Sequence, residues 1–283
     1  MGTSDTIKDT LSSLAQDLMS IVKVCLMSKK PSPLPATGSE SLVILANGPS
    51  LTKTVTAHRD FLEGKDLLAV NFFATSPLYT ALQPALYLIA DPLFWILDDH
   101  RERLFGTLAS TTTWPLHLFV PAKAFRDSRW QDIISRNANI TVHKYNTTPV
   151  EGTHALSHFL YRHGLGTPRP HNVLIPSIAV AMRMQYNKIY LAGADHSWLP
   201  EITVTDDNEV LMNQKHFYDN GKSVAKGVRQ ENLSTAPLHT ILFHMYTAFR
   251  SYFILRDYAR TLGKEIINIT PGSYIDAFPR QKL

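Results

Sequence analysis

Polar residues close the first apolar run of this chain and could serve a bound ligand. The run at 42–46 ends in Asn47-Gly48-Pro49-Ser50. A short apolar run ended by turn residues is typical of a buried parallel strand. Gly48 lets the backbone approach a ligand closely, and Ser50 is suited to cap a helix whose free N–H groups favour an anion. The segment predicts a phosphate or nucleotide site, with an ordinary strand and turn as the alternative.

The same pattern recurs at three later points of the chain. Asn71, Asp91 and the pair Asp195-His196 each close another apolar run. Because the carboxyl ends of parallel strands meet at one edge of a sheet, these residues are expected to share a rim with Asn47. Each alone is more often a simple strand cap, but the four together indicate a ligand site.

The elements that must position these residues alternate along the chain. Strands are predicted at 42–46, 67–71, 85–90, 116–120, 140–145, 188–192 and 265–269, and helices at 93–108, 123–135, 153–163, 178–186 and 238–262. Such alternation predicts an α/β fold with a Rossmann-like, mostly parallel sheet and helices on both faces.

Two segments depart from this alternation. Residues 1–37 contain an amphipathic helix at 3–27, with Ile7, Leu11, Leu14 and Leu18 at spacings of three and four, and then a proline-rich linker. Packing onto the domain 38–283, homo-oligomer formation and peripheral membrane contact are the three interpretations of this helix. Residues 194–237 are long, polar and without periodicity, and we interpret them as a flap or lid over the site.

Composition excludes several classes of protein. The 283 residues carry a net charge of +4 and a single cysteine, Cys25. This mild basicity suits an anionic substrate or membrane surface, whereas no nucleic-acid-binding signature is present. One cysteine excludes an intramolecular disulfide framework and cysteine-based zinc sites, and favours a reducing, cytoplasmic setting. The chain lacks a G-x-G-x-x-G, a P-loop and a G-x-S-x-G sequence, as well as an apolar run of membrane-spanning length.

Four segments together resemble a known family. Their order and spacing resemble those of the bacterial sialyltransferases of glycosyltransferase family 42. The segments are 42–51, 69–73, 91–95 and 177–195. That family has an A-N-G-P-S or G-N-G-P-S loop after its first strand and an I-Y-L-x-G-x-D strand, which is matched here at 189–195. The resemblance covers roughly 42–278 and implies a Rossmann-like glycosyltransferase domain.

The resemblance also implies a substrate. The family transfers a nine-carbon acidic sugar from a CMP-activated donor, without a catalytic metal or other cofactor, to a glycan or glycolipid of the bacterial surface. It implies a cytoplasmic enzyme, in one interpretation peripheral to the inner membrane. Carried over by position, the donor-binding residues are Asn47, Gly48, Pro49, Ser50, Asn71, Asp91, Asn172, Thr270, Gly272 and Ser273. Asn172, Val173 and Leu174 replace the family's Thr-Ser-Gly, which weakens the assignment of the donor carboxylate to this point.

The chain matches fewer of the family's catalytic residues than of its donor-binding residues. His239 lies nearest the family's catalytic histidine, with His216 and His244 as competitors. Ser197 and Thr203 stand where the family has tyrosines that assist the departing phosphate, so CMP-Kdo becomes a plausible donor beside CMP-sialic acid. The candidates to replace these tyrosines are His196, Lys215 and Tyr218. If configuration is retained, Asp195 or Asp91 is the candidate nucleophile.

Two other functions stay open from the sequence. Pterin or nucleotide diphosphokinases of a related Rossmann-like fold share the same opening loop, and would require ATP and Mg²⁺. A non-catalytic nucleotide- or glycan-binding module is the second alternative, favoured if the departures reflect lost activity.

Overall fold

The computed structural model describes residues 3–219 and 222–283, with side chains from Leu11 onward. Two parts of the sequence predictions therefore lie outside the described residues. These are the first portion of the amphipathic pattern, including the side chain of Ile7, and positions 220 and 221 of the predicted lid.

A seven-stranded parallel sheet forms the centre of the fold. Its strands are β1 (Ser41–Leu45), β2 (Asp66–Val70), β3 (Leu86–Leu88), β4 (Leu116–Pro121), β5 (Ile140–Tyr145), β6 (Lys188–Ala192) and β9 (Glu265–Asn268). Their order across the sheet is β5-β4-β3-β2-β1-β6-β9. A separate antiparallel hairpin joins β7 (Ile202–Val204) to β8 (Val210–Met212).

Helices cover both faces of this sheet. They are α1 (Thr3–Met27), α2 (Leu51–Ala57), α3 (Arg59–Leu62), α4 (Pro77–Leu82), α5 (Leu93–Ile96), α6 (Asp98–Thr111), α7 (Arg129–Ile134), α8 (His154–Arg162), α9 (Leu174–Met182) and α10 (Leu238–Thr261). Val43 and Leu45 of β1 pack into the core on the α2–α7 face, whereas Leu42 and Ile44 pack with α8, α9 and α10. Because successive side chains of a strand point to opposite faces, both faces of β1 are buried. The predicted Rossmann-like sheet is confirmed.

The helices differ from prediction more than the strands. All the predicted strands are present with small changes at their ends, but the predicted helix 93–108 is two helices, because Leu97 is extended (φ −98°, ψ 123°). The predicted helix 178–186 begins at Leu174, since Pro176 fits in a first turn whose N–H groups have no helical partner. The helix expected after Ser50 is present as α2, but the Ser50 side chain does not cap it. The short helices α3 and α4 were not predicted, because they span too few residues to show a periodicity.

The N-terminal helix and its linker lie along one edge of the sheet. The main-chain N–H of Ser32 donates to the carbonyl of Lys144 at 3.1 Å, and Lys144 N–H donates to Ser32 Oγ at 2.8 Å. The proline-rich linker thereby covers the exposed edge of β5, which would otherwise offer unpaired backbone groups. Within residues 3–219 and 222–283, no helix combines the length and apolarity needed to cross a bilayer.

The predicted lid segment has secondary structure of its own. It contains the β7–β8 hairpin and a 3-10 helix at Phe217–Asp219. Met212 and Ala236 are buried against Ile241 and Met245 at the start of α10 in a small apolar cluster. This cluster ties the segment to α10 and not to the core of the sheet.

Candidate functional site

The order of the strands reverses between β1 and β6. The connections that follow β1 build the sheet outward through β2 to β5, and the chain then returns to place β6 on the other side of β1. In open α/β sheets, ligands bind in the crevice at the carboxyl ends of the strands where this reversal occurs. The loops after β1 and β6 flank that crevice.

Two glycines let these loops approach each other. Gly48 N–H donates to the carbonyl of Gly193 at 2.8 Å. A Cβ at Gly48 would lie 1.9 Å from Oδ2 of Asp195 and 2.4 Å from the Gly193 carbonyl oxygen. Gly193 itself has φ +67°, which favours glycine. The crevice therefore has no room for a side chain at Gly48.

We expect Gly48→Ala to destabilise the protein by about 1–3 kcal/mol, the usual cost of overpacking. Urea unfolding followed by circular dichroism measures the change. Gly106→Ala in α6 is the matched control, because nothing lies within 4 Å of a Cβ there. In a helix interior that change should stabilise by up to about 1 kcal/mol. A Gly48→Ala protein as stable as the wild type would contradict the close approach of the two loops.

Asp195 occupies the position at which the sequence predicts a phosphate. Ser50 Oγ donates to Oδ2 of Asp195 at 2.9 Å, and Ser50 N–H points to the same oxygen at 3.4 Å. The carboxylate therefore lies at the start of α2, where free N–H groups favour an anion. Burial raises the pKa of Asp195, whereas the hydrogen bonds from Ser50 lower it.

Asp195→Asn is expected to increase stability at pH 7. Because the folded-state pKa of Asp195 lies above its unfolded value, its charged form opposes folding once the pH exceeds the folded pKa. Asparagine keeps an acceptor for Ser50 without that charge. Urea unfolding should show a higher free energy of unfolding for Asp195→Asn at pH 7, and a smaller difference at pH 4. Equal stability at pH 7 would argue against a desolvated charge.

Amide side chains connect the ends of the next strands. Oδ1 of Asn71 accepts from the N–H groups of Ala90 at 3.0 Å and Asp91 at 3.4 Å, and Asn71 has φ +47°. Asn47 Nδ2 donates to the carbonyl of Val70 at 3.1 Å. Oδ1 of Asn47 is buried and has no hydrogen-bond partner among the described residues. An unpaired buried acceptor of this kind is costly, and a ligand that donates to it would relieve that cost.

Asp91 closes β3 on the same rim. Its Oδ1 accepts from Leu93 N–H at 2.9 Å. Burial raises the pKa of Asp91, opposed by that hydrogen bond and by the charges of His100 and His216. Beside it, Phe72 contacts Phe94, with ring centroids 4.7 Å apart, and Arg103 lies over Phe72 at 5.1 Å. Phe73 and Phe94 are buried in the core, so Phe72 is the aromatic ring of this group with partial exposure beside Asn71.

The segment that carries His216 folds onto this rim. Phe217 N–H donates to the carbonyl of Asn47 at 3.1 Å, and the Phe217 ring packs 5.4 Å from Phe73. The rings of His216 and Tyr218 stack with centroids 4.9 Å apart. His216 and Tyr218 thus join the predicted site residues from within the predicted lid.

His216 is placed to exchange a proton. Its Nδ1 lies 3.4 Å from Oδ2 of Asp219, so an Nδ1–H directed at Asp219 leaves Nε2 as the acceptor. Burial lowers the pKa of His216, and the charges of Asp219 and Asp91 act in the opposite direction. Burial and the charges of Asp219 and Asp91 raise the pKa of Tyr218, whereas the charge of Arg103 lowers it. The Tyr218 hydroxyl therefore stays protonated and can donate a hydrogen bond at neutral pH.

His196 lies away from this group. It is buried with φ +53°, and its Nε2 lies 2.6 Å from the hydroxyl of Tyr252, which donates to Oδ1 of Asn172 at 3.2 Å. Burial lowers the pKa of His196 to about 3. This chain of hydrogen bonds joins the loop after β6 to α10 and to the start of α9. His196 and Asn172 therefore act here as structural links.

Two hydroxyl side chains near the C-terminus support the loop after β6. Thr270 Oγ1 accepts from Ala194 N–H at 2.9 Å and donates to the Leu191 carbonyl at 3.1 Å. Ser273 Oγ donates to the Ala194 carbonyl at 2.6 Å. Both hydroxyls are buried, whereas Gly272 between them lies on an exposed turn with φ +67°.

Three other predicted residues are exposed, whereas His244 is half-buried, with its ring stacked on that of His171 at 4.5 Å between centroids. His239 lies at the second position of α10, and its side chain makes no hydrogen bond with other described residues. Pro49 is exposed at the tip of the loop after β1. Lys215 pairs with Glu201. Among the described residues, no three histidine, cysteine or acidic side chains form a group suited to a metal ion.

Two contributors to the site were not identified from the sequence. Asp219 and Arg103 lie beside Tyr218, and Asp219 also contacts His216. The spacing of three residues between His216 and Asp219 is the one sequence signal that could have indicated Asp219. Nothing in the sequence places Arg103 of α6 next to residue 218.

Comparison with known proteins supports the fold. No protein-family model matches the chain, and no curated protein matches it either. Among solved structures, it is similar to the MAf glycosyltransferase from Magnetospirillum magneticum AMB-1, with a TM-score of 0.52 and 14% sequence identity over 95% of this chain. The chain spans 38% of the length of that protein. At this level of identity the likeness establishes a shared fold, which is one that occurs in a glycosyltransferase.

Proposed function

We propose that this chain is a glycosyltransferase that moves an acidic sugar from a CMP-activated donor to a glycan or glycolipid acceptor. The sugar is a sialic acid or a Kdo-like ulosonate. The observation that carries the proposal is the convergence of Asn47, Asp91, Asp195 and His216 at the carboxyl edge of the parallel sheet. The shared fold with a glycosyltransferase supports the class of reaction, and the resemblance at 42–51 and 189–195 supports the CMP-activated donor.

The nucleotide is assigned to the mouth of the crevice, on the rim above the point where the loops after β1 and β6 meet. Oδ1 of Asn47 is the free acceptor there, and it suits the amino group of cytosine or a ribose hydroxyl. Since Asp195 already occupies the start of α2, the donor phosphate is assigned to the other side of the crevice, near Tyr218. A protonated tyrosine hydroxyl there donates to the phosphate as negative charge develops on it.

The proposed reaction has one bond formed and one broken. The acceptor hydroxyl oxygen attacks the anomeric carbon of the sugar, the bond from that carbon to the phosphate oxygen breaks, and CMP leaves. The hydroxyl proton passes to Nε2 of His216, and Asp219 stabilises the resulting imidazolium. No cofactor or metal ion is part of this proposal.

The segment 216–219 covers the rim in this structure, through the contact of Phe217 with Asn47 and Phe73. We assign it the role of a lid that opens for donor exchange and closes over the reaction, which excludes water and limits hydrolysis. Opening of this segment separates the Phe217 ring from the sheet core, while Met212 and Ala236 on either side of the segment stay packed on α10.

Release of CMP from CMP-sialic acid and CMP-Kdo, followed in EDTA, tests the proposal. We expect one of the two donors to release CMP and the rate to increase when a glycan acceptor is supplied. Stable donors in EDTA, together with Mg²⁺-dependent transfer of diphosphate from ATP to a pterin, would overturn it in favour of a diphosphokinase. Binding of CMP with neither activity would indicate a non-catalytic module.

A further inference from the structure

Helix α1 presents its apolar side chains to solvent. Leu14, Leu18 and Leu26 are 53%, 63% and 74% exposed, respectively. The other large apolar side chains that α1 exposes are Leu11, Met19, Ile21, Val22 and Met27. Contiguous apolar patches of this kind are rare on monomers and mark interaction surfaces.

The polar side of α1 is fixed to the domain. The two carboxylate oxygens of Asp17 accept from Thr153 N–H and Oγ1, both at 2.8 Å. Buried Ser20 donates to the Glu151 carbonyl at 2.7 Å and accepts from Glu151 N–H at 3.0 Å. A Cβ at Gly152 would lie 2.1 Å from Oδ1 of Asp17. This close and polar contact fixes the rotation of α1 about its own axis, so the apolar side of the helix faces solvent.

The outward side has the spacing of a helix-pairing seam. Leu11, Leu14, Leu18, Ile21 and Cys25 follow one another at intervals of three, four, three and four residues. Apolar residues at these intervals are the a and d positions of a heptad, which pack into the same positions of a facing helix. Ala15, Val22 and Leu26 widen this seam, which we call the α1 stripe. From Leu11 to Leu26 it extends about 23 Å along the helix, at about 1.5 Å per residue.

The charges of α1 favour a second copy of the chain over a lipid surface. Between Leu11 and Met27 the charged residues are Asp17 and Lys23, so this portion is neutral, and it contains no aromatic residue. Helices that lie on membranes carry basic residues on the polar face and aromatic or leucine side chains on the other. Two copies of a neutral, self-complementary stripe meet without repulsion of like charges.

We propose that this protein forms a two-fold symmetric dimer in which the α1 stripe packs against the α1 stripe of a second copy. An isologous contact of this type uses the same patch on both chains. It buries the leucines that the polar anchoring of α1 leaves outside. The contact lies on the edge of β5 and α8, apart from the β1–β6 crevice, so it does not depend on the proposed activity.

Sedimentation velocity on the full chain tests the dimer. At micromolar concentration we expect a species of twice the single-chain mass, and Leu18→Glu should convert it to a monomer with an unchanged circular dichroism spectrum. Ser12→Glu is the matched control, because Ser12 is exposed on the same helix about 120° from Leu18, at about 100° per residue, and should leave the dimer intact.

Three results would overturn the proposal. One is a wild-type chain that sediments as a monomer at these concentrations. Another is a dimer that Leu18→Glu leaves intact. The third is a monomer that sediments with vesicles of phosphatidylcholine and phosphatidylglycerol, together with a Leu18→Glu variant that stays in the supernatant. That result would assign the stripe to a lipid surface.

Discussion

Replacing His216 with alanine should lower the rate of sugar transfer by about 10²-fold or more, the usual effect of removing a general base. His216 is half-buried, faces Asp219 through Nδ1 and lies on the rim that carries Asp91. His216 is assigned to the acceptor hydroxyl, whereas CMP is assigned to Asn47 and Tyr218, so the affinity for CMP should fall much less than the rate. Steady-state transfer with CMP-sialic acid or CMP-Kdo, combined with calorimetric titration of CMP, measures both quantities.

The pH profile of the same reaction adds a second readout. Because burial lowers the pKa of His216, its neutral form persists below the usual pKa of histidine, and turnover should fall with pH only below that range. His239→Ala and His244→Ala are assayed in parallel, since the sequence resemblance to the sialyltransferases implies His239 as the base. If none of the three histidines matters and Asp195→Asn or Asp91→Asn abolishes transfer, a carboxylate nucleophile replaces the histidine base.

Lowering the pH should destabilise the protein through His196. The pKa of this buried ring is about 3 in the folded state, against an ordinary value of 6.5. Because the folded pKa lies below the unfolded one, the stabilising contribution is complete above pH 6.5 and is lost as the pH falls toward 3. The loss amounts to about 1.4 kcal/mol per pH unit for one proton, or roughly 3 kcal/mol between pH 6.5 and 4.

The variant His196→Gln isolates this contribution. Glutamine cannot be protonated in this range but offers an amide to the Tyr252 hydroxyl. At pH 7 the variant should be less stable than the wild type, because the contact of the ring with Trp198 is lost. Urea unfolding at a series of pH values should show this deficit shrinking toward pH 4. A deficit that is independent of pH would mean that His196 is not held neutral by the fold.

The sheet could be predicted because its strands are buried on both faces. Runs such as 42–46 and 189–192 are continuously apolar and are followed by polar residues, which sets both the type of element and its carboxyl end. The short helices α3 and α4 carry no such signal. The hairpin β7–β8 was missed because its strands have three residues each, too few for an alternation to stand out.

The site could be predicted in part for the same reason. The sequence places four site residues correctly on the rim because each comes shortly after a strand: Asn47, Asn71, Asp91 and Asp195. The approach of His216 depends instead on a loop that returns to Asn47 through a main-chain hydrogen bond of Phe217, a contact that sequence periodicity does not encode. Polar residues with buried hydrogen-bond partners, such as Thr270 and Ser273, cannot be distinguished in sequence from residues that face a ligand.

Calorimetric titration of CMP, UMP and GMP into the purified chain in EDTA tests the central claim most directly. The account predicts that CMP binds without metal and more tightly than UMP or GMP, because the amino group of cytosine donates to the free acceptor at Asn47, whereas uracil has a carbonyl at that position and guanine is a larger base. Equal affinity for the three nucleotides, or binding that requires Mg²⁺, would contradict the assignment of the β1–β6 crevice to a CMP-activated sugar.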